Sequence, residues 1–449
     1  MIYIVWRFFM SEQAIYRIKA LEFCYNSSYL DYDFAGMLFT NEDLDVEKNV
    51  KYDDDEDEIP HDEYKYKTTI KKAIERLNAI GITEKNVEKE FNEKISKCMD
   101  YDGFFSHLNI PIENWEEKQI ERTNKHVTFR KWKNALSKFI NYELEHGKIC
   151  YYSGSDVSSF FNKTNECEKI IYYSKVTDWD ENGMYGIRFD CIDPIKILRI
   201  IFSCCPQDAI IELDVTNLIG YSYDSIDELM VNDPTPKNIV LVEGTSDKWI
   251  LEFAFHMLYP HLENLFYFMD FEWGNGSKRP GGVDNIANNT KAFIASRLKA
   301  NFIAIFDNDS AGVQKKQQLE NEISPVPDNV RILNYPNIDE AKNYPTLAPN
   351  GKIVADNINK RACSIELYLP DDLLKDANGN LFPVIWTSLI NYKINGQTIK
   401  SYQGVIDGKD EIKSQTESYI NDVKNGRCIF DEFKWKKMKS LLDCLINAF

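Results

Sequence analysis

Cysteine pairs at metal-ligand spacing are missing from this chain. Its ten cysteines, at 24, 98, 150, 167, 191, 204, 205, 363, 428 and 444, form no CxxC pair and no Cys/His spacing, and only Cys204 and Cys205 lie close together. That argues against a zinc site or a disulfide framework and suits reduced, mostly buried thiols in a cytosolic protein. Long apolar runs are scarce as well. The opening stretch Met1 to Met10 (MIYIVWRFFM) is apolar but has no small-residue cleavage site, and it is about half the roughly 20 residues a membrane span needs. A soluble cytoplasmic protein with no membrane partner is expected, and Met10 offers an alternative start. No GxxxxGK[ST] loop occurs, so no P-loop nucleotide site is spelled in the sequence.

Positive charge is also in short supply, with 53 Lys and Arg against 71 Asp and Glu and a net charge of −18. A polyanionic substrate would be disfavoured if that excess were spread evenly. It is not. Between Glu42 and Glu63 stand twelve acidic residues, including the run Asp53 to Glu58, against Lys48 and Lys51. Such a block reads as a solvated loop or, less commonly, a mimic occupying a basic groove. The remainder carries roughly −8, which leaves nucleic acid open as a substrate.

At 449 residues and 43% hydrophobic content, the chain has material for two or three cores. Residues 1–235 mix helical and strand patterns: Tyr66 to Cys98 and Val127 to Leu144 have helical apolar spacing, while Lys169 to Val176 and Ile210 to Val215 read as strands flanking a helix near Ile195 to Cys204. One α+β recognition or regulatory module is expected there. On the Val127 to Leu144 face, Lys131, Trp132, Lys133 and Lys138 read either as contacts to a nucleic-acid backbone or as an ordinary amphipathic surface. The turn Asn232-Asp-Pro-Thr-Pro closes the module. Beyond it, strands (Asn238 to Val242, Leu265 to Phe271, Phe302 to Phe306, Val330 to Leu333) alternate with helical segments (Ser246 to Leu258, Asn285 to Leu298, Gly312 to Ile323), a pattern that predicts a parallel sheet covered on both faces. Ser246 is the expected N-cap of the first of these helices.

Two acidic motifs follow apolar strands at the mouths of the next helices: Glu243 after NIVLV, and Asp307-Asn-Asp309 after FIAIF. In open α/β sheets the carboxyl ends of the strands form the ligand crevice, so these groups should converge, with Asp247 on the first helical turn beside them. Clustered carboxylates call for a compensating cation. Oxygen-only donors select Mg2+ or Mn2+. Singly, Asp309 is equally an Asx-turn, Glu243 a helix-start acid and Asp247 a first-turn acid. A calcium loop is excluded at the second motif, because its fifth and twelfth positions are Ala311 and Gln318. The glycine-rich loop Gly274 to Gly282, with Lys278 and Arg279, suits a phosphate or a plain flexible connector.

The pair VEGTSD (Val242 to Asp247) and FDNDSAG (Phe306 to Gly312), about 60 residues apart, resembles the two signature motifs of the Toprim domain. That domain is shared by primases, topoisomerases and nucleases of the overcoming-lysogenization-defect (OLD) group, and the resemblance covers about Lys237 to Val354. It implies a Rossmann-like α/β Toprim domain at 236–385, with 386–449 as an extension. It also implies a metal-dependent endonuclease holding Mg2+ or Mn2+ on Glu243, Asp247, Asp307 and Asp309. Resemblance to the OLD group adds Glu366 as a later ligand and Lys409 as the lysine that offsets charge on the phosphate, with Lys400 and Lys413 as alternatives. Gly281-Gly282 resembles the glycine spot between Toprim motifs.

The layout of the N-terminal module resembles the HEPN/Toprim-associated arrangement. The HEPN ribonuclease spelling R-x-x-x-x-H is absent, since Arg122 and His126 are one residue too close. The resemblance implies an effector of bacterial antiphage defence acting on DNA, or else on tRNA or other RNA. Its control would come from a separate ATPase, a sensor or homo-oligomer formation. A non-catalytic scaffold or nucleotide-binding subunit is the reading from another class.

Overall fold

The parallel sheet of the C-terminal half is built from four short strands whose composition dictates their burial. In the computed structural model, which describes residues 13–18, 21–26, 35–50, 61–98, 128–146, 192–219, 225–226, 238–269, 282–394 and 397–449, the chain divides into two compact units, Met1–Thr235 and Pro236–Phe449. Among the described residues no helix is long and apolar enough to cross a membrane.

The first unit carries β1 (Gln13–Ile18), β2 (Leu21–Asn26), β3 (Leu44–Val50), β4 (His61–Thr69) and β5 (Ile210–Asp214) in one antiparallel sheet of order β2-β1-β5-β4-β3. Its helices are α1 (Ala35–Leu38), α2 (Ile70–Ala79), α3 (Glu84–Cys98), α4 (Phe129–His146) and α5 (Pro194–Cys204). Local chemistry sets their starts: the Thr69 hydroxyl accepts from Lys72 N, and Asp193 caps α5 ahead of Pro194, whose missing N–H costs nothing at a first helical position. Trp132 is 1% exposed, stacked on Phe91 at 5.2 Å and beside Phe129. It belongs to the core and is not available to nucleic acid, and neighbouring Lys133 pairs with Glu84 at 2.5 Å. The helical period of α4 put the indole inward. The anticipated strand at 169–176, the run 1–10 and the acidic residues 51–60 lie outside the described residues.

In the second unit β6 (Asn238–Leu241), β7 (Phe266–Met269), β8 (Phe302–Phe306) and β10 (Val330–Asn334) form an all-parallel sheet of order β10-β8-β6-β7. The helices between them are α6 (Thr245–Leu258), α7 (Val283–Ala295) and α8 (Ser310–Glu322). Every residue of β8 is buried, as expected for a central strand covered on both faces. Phe302, Ala304 and Phe306 pack with Ile286, Phe293 and Leu319 of α7 and α8. Ile303 and Ile305 alternate to the opposite face and are equally buried. Phe255 of α6 meets Phe266 and Phe268 of β7.

The chain then adds β9 (Asn308–Asp309) paired with β13 (Ala362–Cys363), and a mixed sheet β12-β11-β14-β15 made of β11 (Tyr344–Leu347), β12 (Ile353–Asp356), β14 (Val384–Ile394) and β15 (Gln397–Ile406). Two helices follow, α9 (Lys409–Lys424) and α10 (Lys436–Ile446). Trp435, just before α10, packs edge-on against Phe253 of α6 at 5.6 Å.

Candidate metal centre

The acidic motifs meet where the parallel strands end. Glu243 lies two residues beyond β6 and its Oε1 accepts the backbone N–H of Asp307 at 3.1 Å, so the first residue after β8 is tied to the first motif. The Glu243 carbonyl in turn accepts from Gly282 N at 3.2 Å. Gly282 starts α7 with φ +107°, a conformation that favours glycine. It is the described part of the glycine-rich loop; Gly281, Lys278 and Arg279 lie outside the described residues.

Asp307 is held by its backbone: its carbonyl accepts from Asn334 Nδ2 at 2.9 Å. Gly312 explains the spacing of the second motif, because a Cβ there would stand 2.3 Å from Asp307 O. Asp309 is the N-cap of α8, with Oδ1 accepting from Gly312 N at 2.7 Å and Oδ2 accepting from Gln403 Nε2. Its Asx-type bond is therefore real, and it leaves the carboxylate facing the same end of the sheet. Asn308 and Ser310 are both buried. Asn308 Nδ2 donates to Asn337 Oδ1 at 3.0 Å, and Ser310 Oγ is 2.7 Å from Ser401 Oγ.

Asp247 sits in the first turn of α6. The N-cap of that helix is Gly244, not Ser246, whose hydroxyl stands 3.5 Å from Asp247 Oδ1. Glu366 lies on the short turn Ile365–Tyr368 and accepts from Ser364 Oγ. Lys409 is the first residue of α9, directly after Gly408 (φ +68°), which reverses the chain. Its Nζ reaches Glu366 Oε1 at 3.3 Å, with a side chain 45% exposed. Lys400 on β15 and Lys413 on α9 are exposed. It is Lys409 that the fold brings to the acidic cluster.

Among the described residues, five carboxylates face the one ammonium of Lys409, and burial and mutual charge raise four of those carboxyls. Burial, then the Asp309 and Asp247 charges, push Glu243 up to about 7 against the opposing bond from Asp307 N. Burial and Glu366 push Asp247 up to about 7. Asp307 is driven well above the ordinary carboxylate range, first by burial and then by Glu243, Asp247 and Asp309. Burial also raises Asp309, against its bonds from Gly312 and Gln403. For Lys409, burial lowers the ammonium's pKa, but the charges of Glu366 and Asp307 outweigh it and hold the value above the usual one.

As the side chains stand, no three acidic, histidine or cysteine groups among the described residues lie close enough to hold a metal ion together. Glu243, Asp309 and Glu366 each turn a carboxylate oxygen to a protein donor instead. The donor chemistry nevertheless fits a hard divalent cation. All candidate ligands are oxygens, and Asp307 Oδ1 is buried with no hydrogen-bond partner. A bare carboxylate oxygen in that position is costly unless a cation or a proton completes it.

Gln403, Ser401, Asn334 and Tyr335 frame the site without having been legible in the sequence. Asn334 and Tyr335 reach the motifs through the pairing of β10 with β8, and Gln403 and Ser401 through side-chain hydrogen bonds from β15 to Asp309 and Ser310; none carries a local signature. The molecule so defined is an α/β protein with an acidic cluster at the carboxyl ends of a parallel sheet, joined to an α+β N-terminal unit. The family model for HEPN/Toprim N-terminal domain 1 matches residues 10–235, half of the chain, and the chain belongs to that family. No curated protein and no solved structure matches it.

Proposed function

We propose that the second unit is a Toprim-type, divalent-metal-dependent phosphodiesterase that cuts nucleic acid, with DNA as the first substrate to test. The observation that carries this reading is the buried, unpartnered Asp307 Oδ1 just beyond β8, on a residue whose backbone N–H donates to Glu243 and on which the charges of Asp247 and Asp309 bear. Membership of a HEPN/Toprim family supports it. Glu243, Asp307, Asp309 and Glu366 would hold Mg2+ or Mn2+, and Asp247 would complete a second position. Such a cation supplies Lewis-acid polarisation of a phosphate oxygen and a nucleophile at neutral pH. Lys409, paired with Glu366 at 3.3 Å, would oppose the charge that builds on the phosphate. Gly281, Gly282, Lys278 and Arg279 would receive a neighbouring phosphate. An antiphage effector role, with a separate ATPase or sensor or a second copy as its control, follows from the same resemblance.

The purified protein is incubated with supercoiled plasmid and with total tRNA in Mg2+, Mn2+ or EDTA, beside a Glu243→Gln, Asp307→Asn double variant. Metal-dependent cutting that drops at least about a hundredfold in the variant is expected. Cutting confined to tRNA would make RNA the substrate. The separation of the carboxylates favours a second reading, a non-catalytic scaffold or nucleotide-binding subunit. Tight nucleotide or nucleic-acid binding without cutting of either polymer would select it.

A further inference from the structure

In the second unit, three buried side-chain polar atoms among the described residues have no partner: Asp307 Oδ1, the Tyr335 hydroxyl and Trp435 Nε1. Trp435 is packed among Phe253, Tyr419 and Phe430, within an aromatic cluster. The other two belong to one place. Tyr335 follows β10 directly, its N–H donates to Phe306 O at 2.9 Å, and the residue before it donates to the Asp307 carbonyl. The charges bearing on its hydroxyl are those of Asp247, Asp307 and Glu243, in that order. Its ring is 2% exposed and edge-on to Tyr368 at 5.3 Å.

Packing alone does not call for that hydroxyl. Phenylalanine would make the same edge-on contact without burying an unpaired O–H, and buried polar groups are normally satisfied. Neighbouring Tyr368 shows the ordinary arrangement, donating its hydroxyl to Pro336 O at 2.5 Å. Tyr335 and Asp307 each follow the in-register pair Asn334 and Phe306 on neighbouring parallel strands, so one shared partner would complete both buried oxygens.

We propose that Tyr335 is a positioning residue of the metal centre: Asp307 Oδ1 holds a hydrated divalent cation, and the Tyr335 hydroxyl holds one of that ion's waters by a hydrogen bond. The proposal rests on the metal reading given above and adds a residue that neither acidic motif contains. Groups that orient a metal's surroundings through hydrogen bonds typically matter by about 10- to 100-fold in affinity.

The test is calorimetric titration of the full-length protein with Mn2+, for wild type, Tyr335→Phe and Tyr368→Phe, with thermal melts of each in EDTA. Wild type should bind Mn2+, and Tyr335→Phe should bind it about tenfold or more weakly. In EDTA Tyr335→Phe should melt at the wild-type temperature or higher, since an unsatisfied hydroxyl is gone. Tyr368→Phe should melt lower, having lost a bond to Pro336, and keep its Mn2+ affinity. Equal Mn2+ affinity of Tyr335→Phe and wild type would overturn the assignment and leave the metal reading standing. So would a lower melt of Tyr335→Phe in EDTA, which would mean that its hydroxyl serves the fold. Absence of Mn2+ binding by wild type would overturn both, and the wild-type titration alone tells the failures apart.

Discussion

Asp247 and Glu243 make the site responsive to pH in a direction opposite to that of ordinary surface carboxylates. Both are pushed up to about 7 in the folded protein from the ordinary values of 3.8 and 4.5. A carboxyl that holds its proton more tightly when folded contributes stability that is whole below the unfolded pKa. That contribution is lost as pH rises through the folded one, so the window runs from about 4 to about 7. In EDTA, then, Asp247→Asn should gain melting temperature relative to wild type between pH 5 and pH 7.5, and the gain should level off above pH 8. Thermal melts across that range check it; a constant offset would mean that Asp247 is ionised throughout. Mg2+ should stabilise wild type more at pH 7.5 than at pH 5, since protons and the cation compete for the same oxygens. Which residues gather here was partly readable from the chain. Glu243, Asp307 and Asp309 come within three residues of the ends of apolar strands, and that placement alone sets their side of the sheet. Gln403 was not readable, because nothing local tells a strand glutamine that bonds an aspartate 94 positions away from one that faces solvent.

Among the elements, β8 is the most legible and the most costly to disturb. FIAIF reads as a buried strand, and the strand spans Phe302–Phe306 with all five residues buried. Phe302 is 1% exposed and stacks on Phe293 of α7 with centroids 4.2 Å apart. Phe302→Ala should cost about 3–5 kcal/mol in urea denaturation, the usual price of an aromatic cavity that neighbours cannot fill. Phe433→Ala, at a position 91% exposed, should stay within about 0.5 kcal/mol of wild type in the same assay. Helix α4 was legible in extent but ambiguous in face. Its lysines suggested a surface for a polyanion, whereas Phe91 and Phe129 claim Trp132 for the core. The short β9 to β13 pairing was not legible at all, since two-residue strands have no period to read.

For the whole molecule, two compact units of similar length predict more than one unfolding step. Differential scanning calorimetry should resolve two transitions, with Mg2+ raising the one that belongs to the second unit and leaving the other in place. A single transition that moves as a whole would show that the units unfold together. The net charge of −18 gave no guide to this division, because much of it is concentrated between Glu42 and Glu63. The order in which the site residues occur along the chain has a further consequence, for protein synthesis. Glu243 comes first and Lys409 last, with Gln403 just before it. A polypeptide that ends between residues 366 and 403, through a nonsense codon or a stalled ribosome, has all five carboxylates but neither the strand residue that bonds Asp309 nor the ammonium that faces Glu366. Prematurely terminated products are thereby left with an acidic cluster that lacks both of these partners.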